Sequence, residues 1–226
     1  MPTATTLGRD DLPELLTRLT GDEKHDWSAL STLDVLWVLY DRVLRVDAAA
    51  PDGPGRDRLL LSKGHGPAAY YAVLAAKGFI DPDALADFGA FDSTLGHHPD
   101  RMLLRGVEIS SGSLGHGLPI AVGMALALDA REDDGRVVCL VGDAELDEGS
   151  NWEAVQLAGR RRLRRLAAIV VDNRSSTYHW RGGVGARFPA EGWSAERVDG
   201  RDHDALARAL SATGDRPRVV VAEVAR

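Results

Sequence analysis

The stretch RVVCLVGDAELDEGSNWEA, residues 136–154, passes from an unbroken apolar run into a segment holding five carboxylates. RVVCLVG (136–142) shows no alternation of apolar and polar residues, as expected of a strand covered on both faces. A second such run, AAIVVD (167–172), follows a helical stretch at 148–160, and a third, RVVVAEV, ends the chain after a helix at 203–213. Strands alternating with helices, without hairpin signals, predict an α/β fold: a parallel sheet with helices on both faces. After AAIVVD the pattern predicts a loop, with no strand of its own, before the helix at 203–213.

Upstream, residues 10–20 and 31–46 read as helices, the second capped by Ser31 or Thr32. DAAAPDGPGRDR (47–58) is a loop, PAAYYAVLAAKGF is a helix closed by Gly78, and a short helix is expected near 82–89. Residues 90–113 are irregular, and 115–130 form an alanine-rich helix. The 226 residues, 44% hydrophobic and 27% charged, are most simply a single domain over 1–226. A net charge of −7 argues against nucleic-acid or anionic-membrane partners, which need a basic face. No apolar run is long enough to span a bilayer and the N-terminus lacks a signal-peptide core, so a cytoplasmic protein is expected. The single cysteine, Cys139, lies in the apolar run and reads as a buried strand thiol.

Open parallel sheets bind ligands at the carboxyl ends of their strands. Asp143 ends one strand and Asn173 ends the next, one strand–helix–strand unit apart. A carboxylate and an amide oxygen on one rim suit Mg2+ or Ca2+, with water and phosphate completing the shell. Read singly, Asp143 is first a helix N-cap and Asn173 a turn residue. At a strand end, Asp143 is also expected to be replaceable with little loss of fold. LSKGHG (61–66), GHHPD (96–100) and SSGSLGHG (110–117) add His65, His97, His98 and His116 in glycine-rich loops. Such loops admit an anion to the backbone, and histidine can both bind it and move protons.

In this order, LSKGHG, GHHPD, GVEISSGSLGHGLPIAVGMALA, VGDAELDEGSNWEA and VVDN resemble the thiamine-diphosphate-binding half of transketolase over residues 25–224, in particular the N-terminal subunit of split transketolases. The resemblance implies that Asp143, Asn173 and the Ser175 carbonyl hold Mg2+ (or Ca2+). Gly142, Ala144 and Glu145 would bind the cofactor, His65 would contact its diphosphate or approach the thiazolium, and Gly112, Ser113 and Leu114 would support the aminopyrimidine. His65, His98, His25 and His116 would be the catalytic histidines, with His98 rather than His97 matching the family's GHP position. The implied reaction moves a two-carbon ketol unit from a ketose (phosphate) donor to an aldehyde acceptor.

The family's ylide-forming glutamate belongs to a pyrimidine-binding domain. The resemblance assigns that domain to a separate C-terminal subunit in an assembly such as α2β2, and the chain alone is expected to be inert. Ala144 stands where the family has glycine, which would weaken the site if a positive φ is needed there. The glycines after His25 are replaced by Asp26, Trp27 and Ser28, and VVVAEVAR ends before the family's T-x-KG-x-G segment. Two alternatives stay open: a subunit decarboxylating a 2-oxo acid or making an acyloin, and a non-catalytic scaffold paralogue.

Overall fold

A computed structural model describes residues 7–19, 26–64, 67–178 and 180–224, with backbone alone at 26–30. Five strands, β1 (Arg58–Leu61), β2 (Val137–Gly142), β3 (Leu166–Asp172), β4 (Ser194–Asp199) and β5 (Arg218–Glu223), form one sheet of order β1-β2-β3-β5-β4. Every pairing is parallel. The helices are α1 (Leu12–Arg18), α2 (Asp26–Val38), α3 (Pro67–Ala76), α4 (Gly117–Ala130), α5 (Gly149–Arg161) and α6 (His203–Ser211).

Strand side chains point alternately to the two faces. Val138, Leu140, Ile169 and Val220 meet Leu36, Tyr70, Leu74 and Leu206, from α2, α3 and α6. Val137, Cys139, Val141, Val170 and Val219 meet Leu118, Val122, Trp152 and Val155, from α4 and α5. All six residues of β2 are buried, the physical reason for its unbroken apolar run. Cys139 lies wholly inside, and burial pushes its thiol pKa well up, which keeps it unreactive. Among the described residues no helix is long and apolar enough to cross a membrane.

The path from β2 to β3 places α5 on one face, and the path from β4 to β5 places α6 on the other while running the opposite way across the sheet. Right-handed crossovers in opposite directions require this. The C-terminal rim is therefore open where the strand order reverses.

Three expectations need correction. The predicted loop before α6 contains β4, whose sequence SAERVD is mostly exposed. As an edge strand bonded only to β5, it needs no apolar run, so periodicity missed it. The helix expected at 31–46 starts at Asp26, widens to π-helical winding over Leu39–Val43, and gives way to extended chain at Leu44. Ser31 and Thr32 are consequently buried inside the helix and do not cap it. At 82–89 the observed element is a short 3-10 turn, Pro82–Asp87, capped by the Asp81 carboxylate accepting from Asp83 N–H.

At the opposite, N-terminal rim, buried Asp57 accepts from the backbone and guanidinium of both Arg45 and Arg136. Burial alone would raise its pKa, but the Arg136 side chain and the two backbone N–H groups outweigh burial and hold the carboxyl below its usual range. A carboxyl depressed by folding stabilises the fold above its unfolded pKa, near 3.9, and loses that contribution as pH falls through the folded value. Asp57→Asn is expected to cost about 3 kcal/mol at neutral pH, because it leaves Arg136 with an uncompensated half-buried charge. Urea titrations from pH 7 to 3 check this: the gap between wild type and variant should close only on the acid side.

Candidate active site

Asp143 directly follows β2 and Asn173 directly follows β3; Gly142 is in register with Val171, so both residues emerge on the same rim. Asp143 is fully buried. Its side chain does not cap the 3-10 turn Ala144–Asp147 that follows. Instead the carboxylate reaches across to the segment after β3, accepting from Ser175 N–H (2.6 Å), Ser175 Oγ (2.5 Å) and Ser176 N–H (2.9 Å). The N-cap reading is thereby displaced. The premise that a strand-end Asp143 lies outside the core also needs correction, since the residue is fully buried and accepts three hydrogen bonds.

Asn173 is buried, and no donor among the described residues reaches its Oδ1. A buried acceptor without a partner invites an electropositive one. Together with the Asp143 carboxylate it makes a hard-oxygen pair of the kind that takes Mg2+ or Ca2+. No cluster of three or more His, Cys, Asp or Glu side chains suited to a metal occurs among the described residues, so softer multi-residue metal sites have no support there. The residues present therefore fit a hard divalent cation completed by water and phosphate. Ser175 is adjacent, though what it shows toward Asp143 is its N–H and hydroxyl.

Ala144 lies in the 3-10 turn and is not among the residues with positive φ. The left-handed conformation that would have demanded glycine is absent, and the Cβ is accommodated.

Glu145 is buried and ties two loops to the end of β2. Its carboxylate accepts from Ser62 Oγ, Gly115 N–H (3.1 Å) and Gly142 N–H (3.3 Å). Ser62 Oγ in turn accepts from Gly117 N–H at 3.0 Å. Gly117 must lack a side chain, because a Cβ there would lie 2.2 Å from Ser62. Burial pushes the Glu145 carboxyl up, against the Ser62, Gly115 and Gly142 donors and the Lys63 charge.

His98 joins the same rim. Its Nδ1 is 3.0 Å from Gly64 O, and its ring lies against Gly112, whose φ of +119° and 3.0 Å clearance leave no room for a Cβ. Tyr71 OH holds this loop by donating to Gly96 O at 2.8 Å. His97 turns away to meet the edge of Phe88, 5.5 Å between centroids. His116, Ser113 and Leu114 are exposed around the start of α4. His25 and His65 lie outside the described residues.

Sequence reasoning passed over Lys63, Asp147, Ser176 and Thr177. Lys63 is buried with its stem over Gly142, where a Cβ would meet it at 3.4 Å. Ser176 and Thr177 bond Asp147; the visible signal was the run of hydroxyls directly after VVDN. A cavity of about 350 Å3 opens elsewhere on this rim, over Asp172, Arg174, Asp199, Arg201, Glu223 and Val224. Two of its charges are paired within the protein, Arg201 with Asp34 and Glu223 with Arg197. Of the motif residues only Asp172 of VVDN lines it, and no candidate site residue does.

The family described as the transketolase thiamine-diphosphate-binding domain matches residues 20–224. Ferredoxin fas2 of Rhodococcoides fascians is 52% identical over 224 residues, covering 98% of this chain and 74% of that protein. With one cysteine, the present chain lacks the thiolates that an iron–sulfur cluster needs. The 6-deoxy-6-sulfo-D-fructose transketolase subunit SqwG of Clostridium sp. is 36% identical over 192 residues, 82% of this chain and 70% of that one. Transketolase from Leishmania mexicana superposes with a TM-score of 0.79 at 26% identity, covering 97% of this chain, which spans only 37% of that longer polypeptide. With both the sequence match and the parallel sheet in agreement, the chain belongs to the family of transketolase thiamine-diphosphate-binding domains, a family of transferases.

Proposed function

We propose that the chain, as a single domain, is the diphosphate- and metal-binding subunit of a heteromeric transketolase-like enzyme. It moves a two-carbon ketol unit from a ketose (phosphate) donor to an aldehyde acceptor, using thiamine diphosphate and Mg2+. The observation that carries this reading is the pair at the strand tips: a buried carboxylate at Asp143 and an unpartnered buried amide oxygen at Asn173 on one rim. When bound, thiamine diphosphate supplies the nucleophilic carbon and the electron sink for C–C cleavage.

The chain's own residues bind, orient and manage protons. Asp143 and Asn173, with Ser175, would hold the cation that anchors the diphosphate. Gly142, Ala144, Gly112, Ser113 and Leu114 would border the cofactor, with Glu145 beneath. A carbonyl can only accept, so Gly64 O fixes the proton of His98 on Nδ1 and makes Nε2 the acceptor of the neutral ring. That tautomer suits proton transfer at the substrate oxygens, a task His65, His116 and His25 would share.

The pyrimidine-binding domain and its glutamate would come from a C-terminal transketolase-like subunit, in an α2β2 assembly in the cytoplasm. Relatives bearing the word subunit in their names support a partner. The scaffold-paralogue alternative loses the argument drawn from Ala144, which does not occupy a glycine-only conformation.

Thermal unfolding with thiamine diphosphate and Mg2+, with and without the partner, tests the reading. Ligand at a hundredfold excess over Kd should add about 2.7 kcal/mol. Ketose turnover should require both chains. Absence of stabilisation under both conditions, together with absence of turnover, overturns the proposal.

A further inference from the structure

The segment after β3 carries Asn173 and Ser175 and must be held in place by something other than regular structure. Two carboxylates grip it. Asp143 takes Ser175 N–H, Ser175 Oγ and Ser176 N–H. Asp147, at the other end of the same 3-10 turn, takes Ser176 Oγ (2.8 Å), Thr177 N–H (3.0 Å) and Thr177 Oγ1 (2.9 Å). Three consecutive residues are thus bonded to one rigid turn. Further along, the Trp180 ring meets Trp152 at 5.3 Å, and the Arg187 guanidinium covers both, 3.9 Å from Trp152 and 5.0 Å from Trp180.

The two acids are not equivalent. An Asp143 that ligates a cation must share its oxygens between the ion and the serine donors. Asp147 bonds the segment one and two residues beyond Ser175, and its hold does not depend on whether Asp143 is engaged. We infer that Asp147 is a positioning residue: by fixing Ser176 and Thr177 it sets Ser175 and Asn173 over Asp143, without itself touching the ion. The inference rests on the proposed role of Asp143 and Asn173. Groups that orient metal ligands in this way typically change metal affinity tenfold to a hundredfold when removed.

Arg174 and Arg181 are exposed within the segment, so trypsin reports its order without any ligand. In Asp147→Ala, and in the double variant Ser176→Ala/Thr177→Val, cleavage at these arginines should speed up about tenfold. The Mg2+ concentration giving half-maximal stabilisation at saturating thiamine diphosphate should rise by about tenfold in both, with excess Mg2+ restoring the full shift. Asp147→Asn, which keeps one acceptor oxygen, should fall between them and wild type. A merely structural Asp147 would lower the melting temperature yet leave the Mg2+ requirement within twofold, and that result overturns the inference. If Asp147→Ala fails to fold, the double variant decides. If wild type shows no response to Mg2+ and thiamine diphosphate, the proposed function fails. The tryptic comparison still judges whether Asp147 orders the segment, equal cleavage rates refuting it.

Discussion

Asp143→Asn is expected to lower apparent Mg2+ affinity about a hundredfold or more in the presence of thiamine diphosphate, and ketose turnover by the assembled enzyme with it. Asparagine is the informative substitution because of the donors that Asp143 receives. With its amide turned so that Oδ1 accepts from Ser175 N–H and Ser176 N–H, Nδ2 can donate to Ser175 Oγ, which as a hydroxyl also accepts. The local bonds survive while the negative charge is gone. The ligand-free melting temperature should therefore stay within about 3 °C of wild type. Asp143→Ala cannot separate the two effects: besides the charge it removes the acceptor of three part-buried donors, which frees the segment after β3. Calorimetric titration of Mg2+ into the Asn variant settles the matter, and an unchanged binding curve would remove Asp143 from the site.

The second large effect is expected at Glu145, and it concerns the fold more than the ion. Glu145→Ala strands Ser62 Oγ, Gly115 N–H and Gly142 N–H, donors on two separate loops and at the end of β2. At about 1–3 kcal/mol per buried unmet donor, and with losses not fully additive, a destabilisation of about 4 kcal/mol follows. That is a large share of the roughly 5–15 kcal/mol holding a domain together. Glu145→Gln keeps one carbonyl oxygen for Ser62 or a backbone N–H and should recover about half. Urea unfolding of the three proteins provides the check. A Glu145→Ala protein within about 1 kcal/mol of wild type would mean that the loops find other acceptors and the brace is dispensable.

How far the chain could be read in advance differed from element to element. β2 and β3 were legible because strands covered on both faces exclude polar residues, and their tips, Asp143 and Asn173, could be numbered from the pattern. β4 was illegible for the converse reason: an edge strand half in solvent obeys no such exclusion. The start of α2 was misjudged because Ser31 and Thr32 have the chemistry of caps, and only packing shows them enclosed. For Ala144 the sequence posed a question about φ that it could not answer; the turn answered it.

The alternation of apolar runs and helical periods sufficed for the layered parallel sheet, since burial is a constraint each element meets locally. The partner of each acid was another matter. Asp143 took serines thirty-two and thirty-three residues away, and Glu145 took a serine eighty-three residues away. Nothing in a helical or strand period encodes such distances. They follow from which loops the strand order gathers on one rim, and from there a carboxylate becomes a ligand, a brace or a clamp according to the donors it meets.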